Sequence, residues 1–176
     1  MKYLRRTCCF IDYDYNISEQ SIDQKTEFRY KLKEIISSLI KDYRVNYFIS
    51  GVGLGFEQSA VEIVLELKEE EYSPLTIEAV LPYESLSIEW NKLQRDKYYS
   101  IMQKIDKETL MQYQYTKDCI RKKNIYIINK SDFIIILCKN TCEINDLIRY
   151  AKSKKKTLFI IEPDTLNIKS PLRICR

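Results

Sequence analysis

Apolar and polar positions along the 176 residues follow two periods, and the switches between them mark out the elements. Residues 3–11 read as a first strand and residues 12–17, Asp-Tyr-Asp-Tyr-Asn-Ile, as a polar loop. Ser21 followed by Gln24 has the spacing of a capping box. Phe28, Leu32, Ile35, Ile36 and Leu39 then recur at helical spacing, with the helix ending near Tyr43. Val45–Ile49 is the second strand. A glycine turn follows at residues 50–57, and a helix runs from Phe56 to Glu70 with Ala60, Ile63, Val64 and Leu67 inward. Its end carries Glu66, Glu69, Glu70 and Glu71, where negative charge opposes the helix dipole, so these side chains are predicted to be solvated.

Leu75–Leu81 is the third strand, closed by Pro82. A helix is predicted from Ser85 or Ser87 with Trp90, Leu93, Tyr98 and Ile101. A short strand is predicted at Thr109–Tyr113, and a helix at Thr116–Lys130 with Ile120, Tyr126 and Ile127 inward. Asp132–Cys138 is a continuous apolar run of the kind a central parallel strand shows when both its faces are covered. A helix from about Glu143 and a last strand at Thr157–Ile161 complete the series, and residues 164–176 read as a loosely ordered tail. Strand and helix alternate, which predicts an α/β, Rossmann-like three-layer sandwich with a mostly parallel sheet and helices on both faces. No linker interrupts residues 1–176, so the expectation is one domain. Ligands of such folds sit at the carboxyl ends of the strands, where loops 12–17, 50–57, 82–86 and 138–143 should converge.

Composition narrows the chemistry. Hydrophobic residues make up 45% and charged residues 31%, a soluble globular balance, and the net charge of +4 does not by itself call for nucleic acid. No apolar run approaches the roughly 20 residues needed to span a bilayer, and the N-terminus lacks a signal-peptide core, so a cytoplasmic location is expected. There is no histidine, which removes every Ser-His or Cys-His pair and the commonest general base. The six cysteines, at 8, 9, 119, 138, 142 and 175, form no zinc pattern and are read as reduced and structural. No metal and no cofactor are predicted. Lys152, Lys154, Lys155 and Lys156 form a basic run that is read first as a solvated helix end, with nucleic-acid contact as the alternative.

All three glycines of the chain, Gly51, Gly53 and Gly55, stand in the one turn. Strand, glycine turn and helix is the arrangement that aims free N–H groups at an anion. The spacing is Gly-x-Gly-x-Gly after the second strand, not the dinucleotide fingerprint after the first, and no Gly-Lys-Ser/Thr is present. The turn with Ser50 and Glu57, the run Ala79-Val-Leu-Pro-Tyr-Glu84 followed by Trp90, and Cys119-Ile-Arg-Lys-Lys-Asn124 followed by Ser131-Asp132 occur in order after Arg6-Thr-Cys-Cys-Phe10. Together they resemble the YpsA-like branch of the SLOG superfamily, the Rossmann-like group that includes DprA and LOG proteins.

The resemblance implies a nucleotide-like ligand held by Ser50, Gly51, Gly53, Leu54, Gly55, Glu57, Pro82, Lys123 and Asn124. Lys123 stands where the family has arginine, and Glu57 where aspartate is usual. Gly53, where the family often has alanine, is expected to leave the turn more open. Ile11-Asp12-Tyr13-Asp14 replaces the family's Thr-Gly-His-Arg, and Cys142-Glu143-Ile144 replaces Gly-Gly-Thr. Asp12, Tyr13, Tyr83 and Glu143 are therefore placed on the rim, where a neutral or cationic ligand fits better than a triphosphate. Tyr13, Tyr15 or Tyr83 offers a stacking surface for a base. The function implied is non-catalytic binding or sensing of a nucleotide-derived molecule. Glu57 and Glu84 are the carboxylates a glycosidic-bond hydrolase or transferase would use, the alternative reading. A ligand-free protein that contacts protein or nucleic acid is the third. Pairing between copies fits the fold class, and no residue marks an interface.

Overall fold

The inner strands grow from the apolar runs, and register between strands decides which layer each side chain enters. A computed structural model describes residues 5–13, 21–70, 74–138 and 142–170, except the side chains at positions 13, 142 and 143. Along the chain lie β1 (Thr7–Tyr13), α1 (Ile22–Lys41), β2 (Tyr47–Ser50), α2 (Phe56–Glu70), β3 (Thr76–Leu81) and α3 (Lys92–Met102). They are followed by β4 (Lys107–Leu110), α4 (Cys119–Lys130), β5 (Phe133–Cys138), α5 (Cys142–Ser153), β6 (Thr157–Ile161) and β7 (Ile168–Lys169). The sheet order is β4-β3-β2-β1-β5-β6-β7, and every pairing is parallel except β6 with β7. This is the α/β Rossmann-like fold the alternation predicts.

The order reverses between β1 and β5, the switch point at which open α/β sheets form their crevice. In β5, Phe133, Ile135 and Leu137 enter the layer shared with α1, α2 and α3, while Ile134, Ile136 and Cys138 enter the layer shared with α4 and α5. Period-two alternation on a strand buried throughout is why this run carries no polar residue. Among the described residues no helix is long and apolar enough to cross a membrane.

Several boundaries differ from the sequence reading, each for a local reason. β1 starts at Thr7 and continues through Asp12 and Tyr13, so these two lie on a strand end, paired with Leu137 and Cys138 of β5, and not in a loop. α3 begins at Lys92, because Asn91 caps it and closes a capping box with Gln94. Residues 82–90 are consequently irregular, and Leu93 points outward, 80% exposed. β4 occupies Lys107–Leu110, not 109–113. α4 starts at Cys119, which leaves Ile120 exposed in its first turn while Lys123 and Asn124 are buried. Part of the expected loose tail is ordered: Leu166 is buried and β7 adds an antiparallel edge strand. The acidic end of α2 is not simply solvated. Glu66 pairs with Arg29, Glu70 with Lys33 and Glu69 with Lys104, tying α2 to α1 and to the end of α3.

α4 and α5 leave the lower part of β2, β3 and β4 without a helix on their side, and a polar cluster covers it. Glu78 of β3 is 2% exposed. Its carboxylate accepts from Tyr47 Oη at 2.6 Å, Thr109 Oγ1 at 2.6 Å and Lys107 Nζ at 2.8 Å. The Arg5 guanidinium lies 3.4 Å over the Tyr47 ring. Burial pushes the Glu78 carboxyl up, but the three donated bonds outweigh it and hold the group below the usual carboxylate range. A depressed carboxylate stabilises the fold above its unfolded value of about 4.3 and loses that contribution as pH falls through the folded value. Denaturant titrations of the wild type should therefore show stability falling below about pH 4.3. Glu78→Gln should start about 1–3 kcal/mol lower at neutral pH and show a smaller acid decline.

Candidate functional site

Phe56, the first residue of α2, fixes the glycine turn in place. It is fully buried, with its ring edge-on to Phe10 at 6.2 Å and at 6.1 Å from Phe28. The turn spans the short gap from the carboxyl end of β2 to that anchor. Gly55 takes φ 86°, a left-handed value. Val52 takes φ 53°, which a β-branched residue rarely adopts. Two polar contacts hold it: the Val52 N–H donates to Ser50 Oγ at 3.1 Å, and Gln58 Nε2 donates to the Val52 carbonyl at 3.4 Å. Strain of this kind costs on the order of 1–3 kcal/mol and persists only where neighbours over-determine the backbone.

Beneath the turn lies a buried ion pair. Lys123 Nζ donates to Glu57 Oε1 at 2.7 Å, with side chains only 5% and 4% exposed. The other carboxylate oxygen accepts from the Gly53 N–H at 2.9 Å. Glu57 comes from α2 and Lys123 from α4, which lie on opposite faces of the sheet, so the pair closes over the sheet's carboxyl edge. This explains two glycines. A Cβ on Gly51 would stand 2.4 Å from Lys123 Nζ and 2.6 Å from Glu57 Oε2, and one on Gly53 would stand 3.0 Å from Glu57 Oε2. Gly53 therefore does not make the turn more open; the space is filled from below.

Asn124, next to Lys123, is fully buried. Neither its amide nitrogen nor its amide oxygen has a hydrogen-bond partner among the described residues. The N–H groups of Leu54, Gly55 and Phe56 likewise meet no acceptor there, as the open first turn of a helix leaves them. Leu54 is 37% exposed and Ser50 fully buried. Pro82 is buried at the end of neighbouring β3, and Tyr83 packs its ring at 5.3 Å and 84° against Tyr115. Glu84 is exposed, and its N–H donates to the Tyr113 carbonyl.

The fold thus gathers Ser50, Gly51, Gly53, Glu57 and Lys123 around one turn, with Asn124 beside them on α4. Tyr83 and Glu84 lie on the next loop. Asp12 is the next-to-last residue of β1, at the switch point. Asp14, Tyr15 and the side chains of Tyr13 and Glu143 lie outside the described residues. Gln58, 2% exposed, and Tyr115 were missed by the sequence reading. A glutamine in the first turn of an otherwise apolar helix face was the available signal for Gln58. Cys8, Cys9, Cys119 and Cys138 are buried free thiols, and burial pushes Cys9 up to about 12, so it stays protonated and unreactive at neutral pH. Among the described residues no group of three or more Cys, Asp or Glu side chains stands together as a metal site.

Seven described strands in this order, with a glycine turn after the second strand and a cation from the fourth helix beneath it, define a Rossmann-like protein with a candidate site at the sheet's carboxyl edge. The family model described as YspA SLOG family (YpsA) matches residues 10–166, and the chain belongs to that family. A UPF0398 protein of Lactobacillus acidophilus is 24% identical over 158 residues, 85% of this chain and 83% of the relative. A UPF0398 protein of Lactobacillus gasseri is 31% identical over 94 residues, 53% of this chain and 49% of the relative. Among solved structures, DNA processing protein A of Helicobacter pylori, described for its single-stranded DNA binding mode, aligns with a TM-score of 0.57 at 18% identity. That alignment covers 89% of this chain and 65% of the neighbour, and at this identity the likeness is one of fold.

Removing one partner of the ion pair strands the other. Lys123→Met should cost about 3–5 kcal/mol by denaturant unfolding. Adding Glu57→Gln, which removes the stranded charge while an amide oxygen still faces the Gly53 N–H, should recover part of that loss.

Proposed function

We propose that this chain is a non-catalytic binding or sensing protein for a small nucleoside- or nucleotide-derived ligand held against the Gly51–Gly55 turn. The observation that carries the reading is Asn124. A buried primary amide with both ends unpaired costs about 1–3 kcal/mol per group, so each end of Asn124 calls for a hydrogen-bonding partner. A ligand edge with a donor beside an acceptor, as nucleobases have, would satisfy both ends, as asparagine does with adenine in other settings.

Charge refines the ligand class. Lys123 is neutralised by Glu57, so among the described residues the turn offers an incoming phosphate the roughly half-unit positive end of α2 and no unpaired cation of its own. That favours a neutral or cationic ligand over a polyphosphate. The same pairing counts against glycosidic-bond chemistry. Both oxygens of Glu57 already accept hydrogen bonds, so it is occupied as a nucleophile or base, and Glu84 stands exposed to water.

Isothermal titration with the common nucleosides and their monophosphates tests the reading. Heat is expected with at least one nucleoside, binding no more weakly than its monophosphate. Asn124→Ala should abolish that heat while leaving the protein folded by circular dichroism. Absence of heat with every compound would overturn the proposal, and release of free base that depends on Glu57 would replace it with the enzymatic reading.

A further inference from the structure

The edge of the sheet opposite the glycine turn carries a concentration of lysines. α4 and α5 end side by side there: Tyr150 Oη donates to Asn129 Oδ1 at 2.9 Å, and Lys156 Nζ approaches the Asn129 carbonyl at 3.4 Å. These contacts bring Lys130 to the run Lys152, Lys154, Lys155 and Lys156. Lys130 and Lys154 sit over the rings of Tyr126 and Tyr150, at 5.6 Å and 5.5 Å. Lys130, Lys152, Lys154 and Lys155 are exposed, and none of the five has a carboxylate within ion-pair distance among the described residues.

Satisfying helix dipoles does not account for five cations. Two helix C-termini present roughly half a negative charge each. Asp132, the carboxylate beside them in sequence, is already bonded to the Thr7 N–H at 2.9 Å. Even with Asp132 counted in full, about three positive charges stand uncompensated. Five nearby or helical carboxylates are paired with other cations: Glu62, Glu66, Glu69 and Glu70 with cations of α1, α3 and the segment after α3, and Asp146 with Arg149 within α5. Lys155 also holds φ 55° at the end of α5, a position that favours glycine, where its N–H and that of Lys156 close the helix on Lys152 and Ala151.

We infer that this end of α4 and α5 is a docking face for the phosphate backbone of a nucleic acid, independent of the glycine turn. All five cations are lysines, point charges on flexible stems that contact phosphates without reading base sequence. No exposed large apolar side chain of the described residues lies within 126–132 or 150–157, so the anchor a membrane-surface site needs is lacking there.

Fluorescence anisotropy with a labelled single strand and a labelled duplex of about 30 nucleotides, from about 50 to about 200 mM salt, tests this. The wild type should bind with a log–log salt slope of about −3.5 on the single strand, and Lys152→Ala, Lys154→Ala and Lys155→Ala together should reduce it to about −1.4. Lys92→Ala, Lys117→Ala and Arg121→Ala together make the same charge change at the opposite edge and should leave the slope unchanged. Lys155→Gly should raise Tm by relieving the left-handed residue and yet weaken binding, which separates fold from contact. Failure of both oligonucleotides to bind at low salt would overturn the proposal, as would equal losses in the two triple variants. Tighter binding of polyglutamate or of phosphatidylserine vesicles than of either oligonucleotide would also overturn it, assigning the face to an acidic protein or to a membrane.

Discussion

The site depends on the Lys123–Glu57 pair. An ion pair with almost no exposure normally repays its desolvation only when the remaining hydrogen-bonding positions are filled. Here the second carboxylate oxygen takes the Gly53 N–H, so the backbone of the turn is the third member of the cluster. The pair reaches from a helix on one face of the sheet to a helix on the other, above the end of β2. It therefore couples the two outer layers at the edge where the fold class places its ligands. Gly51 and Gly53 lack side chains because the pair occupies the space side chains would need, and Gly55 because of its backbone angle.

Much of this fold was legible because its signals are local. Runs such as Phe133–Cys138, the Ser21–Gln24 capping box and the apolar stripe of α2 each depend on a few consecutive residues. Misplaced residues failed through phase. Leu93 is five positions before Tyr98, so it cannot share an inward face with Tyr98 and Ile101 once Asn91 fixes the helix start. Ile120 lies in the same helical row as Asn124 and Ile128 but one turn higher, outside the cover of the sheet. β7, two residues long, carries too little pattern to be seen without its partner β6.

Several of the candidate positions meet at one turn, but the pairing of two of them was not legible in the chain. Glu57 and Lys123 are 66 residues apart and on opposite faces, so nothing in the chain announces that they satisfy each other. Taken singly, a buried lysine under a glycine turn suggests anion capture, and a glutamate at a helix start suggests a cap or a catalyst. Taken together, they cancel. The openness attributed to Gly53 fails for the same reason, since the volume that looks vacant in sequence is filled by a side chain four residues later.

This cancellation separates two kinds of electrostatics in one small protein. At the turn, charge is internal and balanced, and the groups left over are dipoles: three backbone N–H groups and the amide of Asn124. Buried dipoles discriminate by shape and by the pairing of donor with acceptor, because each unmatched group is costly. At the far ends of α4 and α5, charge is external and unbalanced, and such a field acts through water with little regard for the shape of its partner. On the two proposals, the edges take different partners. Only the balanced one depends on the layer-spanning ion pair, so disrupting that pair should disturb the turn and leave the lysine face in place.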